Sequence, residues 1–373
     1  MENTSNAKAL RARLMDQPED YKRLGVNPDK VEIWEEGRRT TGAPGENEVW
    51  YFDGTMDDGS KFIVGFRPKE MMEAVKEYDT PNTNIVITSP DGRKFADFHH
   101  FTDEQGSTGT KNGCDCRYGS DWCRGDYCTY DIHFEPTNGV GADLHYEALT
   151  DPFRQGTGII AFGDNDEFYH TDIAVPKCKV SGKLYYDGKE VEVQGLGYHD
   201  HQWMNTAHMT LYHHWLWGRM YTDRYTVYIY DFVAANRYGY KQLPFFGLID
   251  NHTGKVVFKT DGHFTLETTL EPEAKTGREF PKQSHYSFNN ADGSSVEFDV
   301  EWEQQIELID YYANANEAQR QAWDRLDIHT IYSRYYAKGG VRFTDAQGNT
   351  KTSNGDMIYE YAYIQNPNPA AHV

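Results

Sequence analysis

The residues with the clearest potential for chemistry lie in one short stretch, Tyr198–Trp203, with the sequence Tyr-His-Asp-His-Gln-Trp. Five of the fifteen histidines fall between residues 199 and 214. Imidazole rings exchange protons near neutral pH, and the faces of aromatic rings stabilise positive charge. The pattern therefore predicts proton transfer beside aromatic rings.

An extended strand would sort these side chains, because successive residues of a strand point to opposite faces. One face of 198–203 would then carry His199, His201 and Trp203. The opposite face would carry Tyr198, Asp200 and Gln202. We expect His199, His201 and Trp203 to face a substrate together. Asp200 would support them from behind.

Two further apolar segments carry the rest of the candidate set. In Tyr212–Arg219 the alternation predicts one face with His213, Trp215, Trp217 and Arg219, and a second face with Tyr212 and His214. In Tyr225–Asp231 it places Tyr228 and Tyr230 on one face and Asp231 on the other. The residues expected to bind substrate are Tyr198, His199, His213, His214, Trp215, Trp217 and Arg219.

The elements that position these residues are predicted to be β-strands. Aromatic residues make up 14% of the chain and there are 33 glycines, a composition that suits pleated surfaces joined by many turns. Alternating segments flank turn signals such as Asp57–Ser60 and Asp187–Gly188. Many short strands with regular turns indicate an all-β protein of barrel or sandwich type.

The length of 373 residues suits about two domains. We predict an N-terminal helical extension over residues 1–40, an N-terminal β domain over 41–195 and a C-terminal β domain over 196–373. The clearest helix candidate in the C-terminal half is the segment 313–326, which is rich in Ala, Gln, Glu and Arg.

Charge and targeting signals exclude several classes of function. The net charge of −21 disfavours binding to nucleic acid or to anionic lipid surfaces. The sequence contains no run of 18 apolar residues, so it predicts no integral membrane segment. Its first residues lack the apolar core of a signal peptide. We expect a cytoplasmic protein that requires no cofactor, since no glycine-rich nucleotide-binding motif is present.

Four of the five cysteines crowd into Cys114, Cys116, Cys123 and Cys128. Such spacing is compatible with a zinc site, although Cys-x-x-Cys knuckles are absent, or with a disulfide pair. It is also compatible with a glycine-interleaved loop that has no such role. A second metal alternative, a site formed by His199, His201 and His213, lacks a carboxylate at ligand spacing, and we predict no metal there.

The motif Gly195-x-Gly-Tyr-x-Asp-His-x-Trp203, followed by Trp215-x-Trp-Gly-Arg219, resembles the hydroxyneurosporene synthase (carotenoid 1,2-hydratase) and AttH-like family. The chain is also similar to fungal cofactor-free enzymes of the Diels–Alder type and to kievitone hydratase. The resemblance implies two lipocalin-like domains. It further implies hydration of a carbon–carbon double bond in a hydrophobic small molecule.

The family's His-x-Trp pair corresponds to His201 and Trp203, and the acid of its later Tyr-x-Asp pair corresponds to Asp231. The tyrosine position of that second pair holds Ile229, with Tyr228 and Tyr230 on either side. By this correspondence Asp231 is the expected general acid, and His201 orients it or accepts a proton from water. Trp203, Tyr228 and Tyr230 are expected to stabilise a carbocation.

These features together favour a cofactor-independent hydro-lyase that acts on an isoprenoid, prenylated or polyphenolic compound. Two alternatives stay open. One is a cofactor-free isomerase or cyclase that folds a polyene in the same pocket. The other is a non-catalytic carrier in which the His-x-Trp segment is structural.

Overall fold

The computed structural model describes residues 11–102, 109–164 and 167–371, and most of them lie in β-strands. The chain forms two compact units. The N-terminal unit consists of Leu14–Ile160 and Glu167–Ala207, and the C-terminal unit consists of His208–Val373 with the short pieces Met1–Arg13 and Ala161–Asp166. Each unit is built around one curled antiparallel sheet.

The strands up to residue 207 belong to one sheet. In chain order they are β1 (Arg13–Leu14), β2 (Asn47–Met56), β3 (Lys61–Arg67), β4 (Asn82–Thr88), β5 (Lys94–His100), β6 (Cys114–Tyr118), β7 (Asp121–Gly125), β8 (Thr129–Phe134), β9 (Gly141–Ala148), β10 (Ile159–Phe162), β11 (Glu167–Tyr186) and β12 (Lys189–Met204). The main path through the sheet runs β5-β4-β3-β2-β12-β11-β9-β8-β7-β6.

Strand β12 lies near the middle of this path, between β2 and β11. His201 is opposite Trp50 of β2 and Asp172 of β11. His199 is opposite Phe52 and Val175. Alternate residues of these strands pack inward on an apolar core that includes Trp50 and Phe52. The histidines of β12 are therefore held inside the sheet by two neighbouring strands.

Before β2 the chain forms a short helix, α1 (Pro18–Leu24), and a 3-10 turn, Ile33–Glu36. Pro18 suits the first helical position and Gly25 ends α1 in the left-handed conformation. The indole nitrogen of Trp50 donates to the backbone oxygen of Glu36 at 3.1 Å, which ties the 3-10 turn to β2. Residues 1–10 of the predicted helical extension lie outside the described residues.

The C-terminal unit has nine strands, β13 (Tyr212–Tyr221), β14 (Tyr225–Ala234), β15 (Gln242–Asp250), β16 (Lys255–Lys259), β17 (Phe264–Pro272), β18 (Glu279–Asn289), β19 (Ser295–Asp310), β20 (Ile328–Thr344) and β21 (Thr350–Gln365). Their order in the sheet is β16-β15-β14-β13-β21-β20-β19-β18-β17. The segment predicted to be one helix over 313–326 forms two, α2 (Tyr311–Asn314) and α3 (Glu317–Asp324), because Asn316 caps a new helix.

The predicted all-β fold with two lipocalin-like domains and few helices is confirmed. Strand β12 runs without a break through residue 195, where the sequence suggests a boundary, and the two units divide after Ala207. The reason is that the second half of β12 completes the N-terminal sheet by pairing with β2. Within the described parts of the chain, no helix has the length and apolar character needed to cross a membrane.

Candidate active site

Strand β12 separates its side chains as the alternation predicts. On the inner face the His199 ring stacks on Phe52, with centroids 3.9 Å apart, and the His201 ring stacks on Trp50 at 4.5 Å. On the other face the Tyr198 hydroxyl donates to Asp200 at 2.6 Å. Gln202 also donates to Asp200, at 3.0 Å. Asp200 thus organises the face away from the two imidazoles.

His201 is oriented by a buried carboxylate. Its Nε2 lies 2.9 Å from Glu48 Oε1. Glu48 also accepts hydrogen bonds from the backbone N–H groups of Arg39 and Thr40, at 2.8 and 3.0 Å. Burial opposes ionisation of Glu48, but hydrogen bonds from His201, Thr40 and Arg39 prevail and lower its pKa. Because this carboxylate only accepts, Nε2 of His201 carries a hydrogen and donates it to Glu48, and Nδ1 is the ring nitrogen turned toward Glu36.

Glu36 is a neutral acid in the same interior. Nδ1 of His199 lies 2.8 Å from the backbone oxygen of Tyr51, which can only accept, so Nδ1 carries the hydrogen. Burial lowers the pKa of His199 to about 4, and the ring is therefore neutral. Its Nε2 must then accept from Glu36 Oε1, 2.9 Å away. Burial raises the pKa of Glu36 to about 8, which agrees with a protonated carboxyl group.

Glu36 and His201 face each other across a short gap. Oε2 of Glu36 lies 4.0 Å from Nδ1 of His201, too far for a direct hydrogen bond. Neither atom has a hydrogen-bond partner among the described residues, and both side chains are fully buried. A single oxygen atom about 2.8 Å from each would bridge them. The Glu36 proton itself lies on Oε1, toward Nε2 of His199, so Oε2 faces His201 as an acceptor. A buried carboxyl group and an imidazole are therefore placed on either side of a gap the size of one water molecule.

A second buried acid, Asp172, lies beside this pair on β11. Its Oδ2 accepts from the Tyr127 hydroxyl at 2.7 Å. Burial, followed by the nearby Glu36 carboxyl group, raises the pKa of Asp172 well above its ordinary value. Tyr127 has a positive φ of 70°, which is uncommon for a bulky residue and occurs where the surroundings enforce it. The strained backbone therefore aims the phenol at Asp172.

Four rings form a continuous stack along the site, which we call the ring stack: Trp50, His201, Trp203 and His170. The His201 and Trp203 centroids are 4.8 Å apart, and those of Trp203 and His170 are 3.3 Å apart. Burial lowers the pKa of His170 well below its ordinary value, so this ring is neutral. One face of Trp203 is covered by His170. The stack fixes the plane of His201 and hence the direction of Nδ1.

The wild-type free energy of unfolding is expected to fall relative to that of Glu36→Gln as the pH rises from 4.5 to about 8. In that range the folded chain holds a proton on Glu36 that the unfolded chain has lost. The free energy of unfolding then falls by about 1.4 kcal/mol per pH unit. Urea denaturation of both proteins across the range measures the difference. A difference independent of pH would show that Glu36 ionises normally.

Asp231 lies in the C-terminal unit, on the inner face of β14. Its Oδ2 accepts from the Tyr286 hydroxyl at 2.8 Å and from the Gln242 amide at 2.7 Å. Burial raises the pKa of Asp231 to about 6. Tyr228 and Tyr230 are on the opposite face of the strand, as the alternation predicts. Both are buried there.

The face of Tyr228 and Tyr230 continues on β13. The rings of Trp217 and Tyr230 are 6.2 Å apart, and the Arg219 guanidinium lies 5.7 Å from the Trp217 ring. Trp215 is paired with Phe232 on the same face. The predicted alignment of Trp215, Trp217 and Arg219 is thus observed.

The predicted faces are wrong at the start of β13, because a bulge between Tyr212 and His214 shifts the register. The Tyr212 ring stacks on Phe232 and therefore shares the face of Trp215, whereas the His214 ring stacks on Tyr361 of the inner face. His213 contacts His214, with their Nδ1 atoms 2.7 Å apart, and its Nε2 contacts the backbone oxygen of Asn366 at 2.9 Å.

The predicted residues therefore form two groups, one in each unit. The N-terminal unit brings together His199, His201 and Trp203, with Tyr198 and Asp200 behind them. The C-terminal unit contains Asp231, Tyr228, Tyr230, His213, His214, Trp215, Trp217 and Arg219.

Sequence reasoning missed the acids that complete the N-terminal group, Glu36, Glu48 and Asp172. Only Glu48 could have been found from the sequence, because it lies two residues before Trp50 in a predicted strand and so shares the face of that aromatic residue.

Neither a protein-family model nor a curated protein sequence matches the chain. Solved structures do match. CghA with Sch210972 is 13% identical with a TM-score of 0.60, over 91% of this chain and 98% of that chain. A putative AttH from Nitrosomonas europaea is 15% identical with a TM-score of 0.57, over 90% and 98%.

Kievitone hydratase from Nectria haematococca is 13% identical with a TM-score of 0.52, over 90% of this chain and 94% of that chain. At these identities the likeness concerns the fold. The chain thus has the two-domain lipocalin-like fold of CghA, the putative AttH and kievitone hydratase, with a buried cluster of carboxyl and imidazole groups in its N-terminal unit.

Proposed function

We propose that the protein is a cofactor-independent hydro-lyase. It would add water to, or remove water from, a carbon–carbon double bond of a hydrophobic small molecule of the isoprenoid, prenylated or polyphenolic class. The observation that carries the proposal is the fully buried Glu36 carboxyl group, whose pKa burial raises to about 8 and whose Oε2 lies 4.0 Å from Nδ1 of His201. The shared fold with kievitone hydratase supports this class of reaction.

In the hydration direction Glu36 acts as the general acid. Substrate binding turns the Glu36 carboxyl group so that its proton leaves Nε2 of His199 and points to the alkene. The proton goes to one alkene carbon, the π electrons form the new C–H bond, and positive charge develops on the neighbouring carbon. A water molecule attacks that carbon with an oxygen lone pair. His201 Nδ1 takes a proton from the water, and Glu48 stabilises the imidazolium that forms. A bridging water can then return the proton from His201 to Glu36, which restores both groups.

Aromatic rings surround the place where the positive charge would develop. The Tyr130 ring lies edge-on to His199, with centroids 4.6 Å apart, and Phe52 and Trp50 line the same interior. A well-placed ring stabilises a cation by roughly 0.5 to 2 kcal/mol. Because His170 covers one face of Trp203, the Trp203 indole would stabilise the cation only through its other face and its edge.

The C-terminal unit offers a second acid, Asp231, which the family resemblance designates as the proton donor. We propose Glu36 for this role because the imidazole of His201 faces it, whereas Asp231 accepts hydrogen bonds from the phenol of Tyr286 and the amide of Gln242. We propose the aromatic face of Tyr228, Tyr230, Trp215 and Trp217, with Arg219 beside it, as a separate apolar binding surface within the C-terminal unit. His213 and His214 lie at the start of β13 in the same unit.

The proposal is tested with a panel of prenylated phenols, terpenoid alkenes and the matching alcohols, each incubated with the protein in oxygen-18 water. A hydratase gives an alcohol that carries the label, or the reverse dehydration. A product isomeric with the substrate and free of label would contradict hydration and support an isomerase or cyclase. A compound that co-elutes with the protein but is recovered unchanged would support a carrier.

A further inference from the structure

We propose that Cys114, Cys116 and Cys123 form a binding site for a thiophilic divalent metal ion of the zinc class in the N-terminal unit. The sulfur atoms of the three residues all lie within 4.8 Å of one another. The sulfur atoms of Cys114 and Cys123 are 3.8 Å apart. All three side chains are buried, and none forms a disulfide.

The hairpin of β6 and β7 brings the three sulfurs together. Alternation on β6 points Cys114 and Cys116 to the same inner face, and Cys116 is directly opposite Cys123 of β7. The ligand spacing is therefore Cys-x-Cys on one strand with a single cysteine on its neighbour. This arrangement contains no Cys-x-x-Cys knuckle. The sequence pattern alone therefore did not distinguish a metal site from a disulfide pair or a loop without such a role.

The distances suit a tetrahedral thiolate site. An ion with zinc–sulfur bonds of about 2.3 Å separates its sulfur ligands by about 3.8 Å. The Cys114–Cys123 pair already has this separation. The remaining sulfur distances are at most 4.8 Å, so rotamer adjustments of less than about 1 Å would close the triangle. The fourth position would be taken by water or another small ligand.

A buried hydroxyl lies beside the cluster. Tyr118 follows Cys116 on the same face of β6, and its side chain has no measurable exposure. Its hydroxyl oxygen lacks a hydrogen-bond partner within the residues that the structure describes. A phenol of this kind can donate to a metal-bound thiolate or to the ligand in the fourth position.

Charge favours a divalent ion over a monovalent one. Three thiolates around a divalent ion leave one net negative charge in the interior, whereas the same thiolates around a monovalent ion leave two. Buried charge is costly, so the divalent complex is the more stable of the two. Strand β6 is at one end of the sheet path, where local opening of an edge strand gives an ion access.

The test is a titration of the reduced full-length protein with Cd²⁺ as a spectroscopic probe, followed by competition with Zn²⁺. We expect one equivalent to bind, with a thiolate-to-metal charge-transfer band in the ultraviolet that is lost in Cys123→Ala. Cys178→Ala and Cys128→Ala should keep the band, since these two residues lie outside the cluster. Absence of a stoichiometric band in the wild type, or its loss only in Cys128→Ala, would overturn the site.

A second measurement avoids variants altogether, because Cys123→Ala removes a fully buried side chain and thereby weakens the fold as well as the site. Wild-type protein is alkylated in the presence and absence of Cd²⁺, and the labelled peptides are mapped by mass spectrometry. Bound metal should slow labelling of Cys114, Cys116 and Cys123 and leave exposed Cys128 unchanged. Equal labelling rates with and without the ion would contradict the proposal. Neither readout depends on catalysis, so hydration can fail without affecting this result.

Discussion

Glu36→Gln is expected to lower kcat/KM for hydration by about 10²- to 10⁴-fold, because a positioned general acid contributes this much to the rate. Glutamine keeps the shape of the side chain but has no acidic proton to give. In the wild type, activity should also decline as the pH rises through about 8, where Glu36 ionises. Steady-state kinetics across this range, with circular dichroism as a check on folding, measure both effects.

Several charged groups act on Glu36 and belong in the interpretation of the pH profile. Those that influence its pKa are His201, Asp200, Glu48 and Arg39, and the ring in direct contact is His199. The profile of Glu36→Gln should lose the alkaline limb if Glu36 causes it. The matched comparison is Asp231→Asn. If Asp231→Asn abolishes turnover while Glu36→Gln retains full activity, the proton donor is in the C-terminal unit and our assignment is wrong.

Arg154→Met is expected to destabilise the protein by about 3 to 5 kcal/mol, the range for breaking one partner out of a buried ion pair. Arg154 binds Glu35 through Nη1, and both side chains are only 3% exposed. The same guanidinium donates to the backbone oxygens of Asn27 and Gly156, at 2.5 and 3.0 Å. Methionine fills the volume but removes the cation beside Glu35, which keeps the hydrogen bond from the backbone N–H of Glu32, and it leaves the two carbonyls without this donor. Chemical denaturation at neutral pH gives the change in unfolding free energy.

The double variant Arg154→Met with Glu35→Gln is the control for this experiment. Glu35→Gln removes the carboxylate that Arg154→Met leaves without a cation. The double variant should therefore regain much of the unfolding free energy lost in the single variant, since an uncompensated buried carboxylate accounts for most of that decrease. The single variant should also lose less stability at acidic pH, where Glu35 is neutral and needs no cation. A decrease in the free energy of unfolding below about 1 kcal/mol, equal at neutral and acidic pH, would contradict this prediction. It would mean that water reaches the Arg154–Glu35 pair, which would then contribute as little as an ion pair on the surface.

The sequence was most informative where a single strand decides the geometry. The Asp187–Gly188 turn was predicted, and both residues have the positive φ values that such hairpin turns require. The two faces of 198–203 were also correctly separated, because regular pleating holds along that part of β12. At Tyr212 the same rule failed, since a one-residue bulge leaves no mark in an alternating pattern.

The acids of the site could not be predicted from local spacing. Glu36 lies in a 3-10 turn and contacts His199 across 163 residues of sequence. Its function as an acid depends on complete burial, which only the assembled sheet provides. Glu48 and Asp172 reach His201 from the two strands that flank β12. The order of strands in the sheet decides that β2 and β11 flank β12, and no local sequence motif predicts that order.

The pairing of β2 with β12 has a kinetic consequence. Most strands of the N-terminal sheet pair with their sequence neighbours, but this pairing joins residues such as Glu48 and His201, which are 153 positions apart. Long-range pairings form slowly, because the entropy of closing a large loop must be overcome before their contacts contribute. We therefore expect refolding chains to gain most of their hairpins first and the Glu48–His201 contact last, so that catalytic competence would mark the final step of folding.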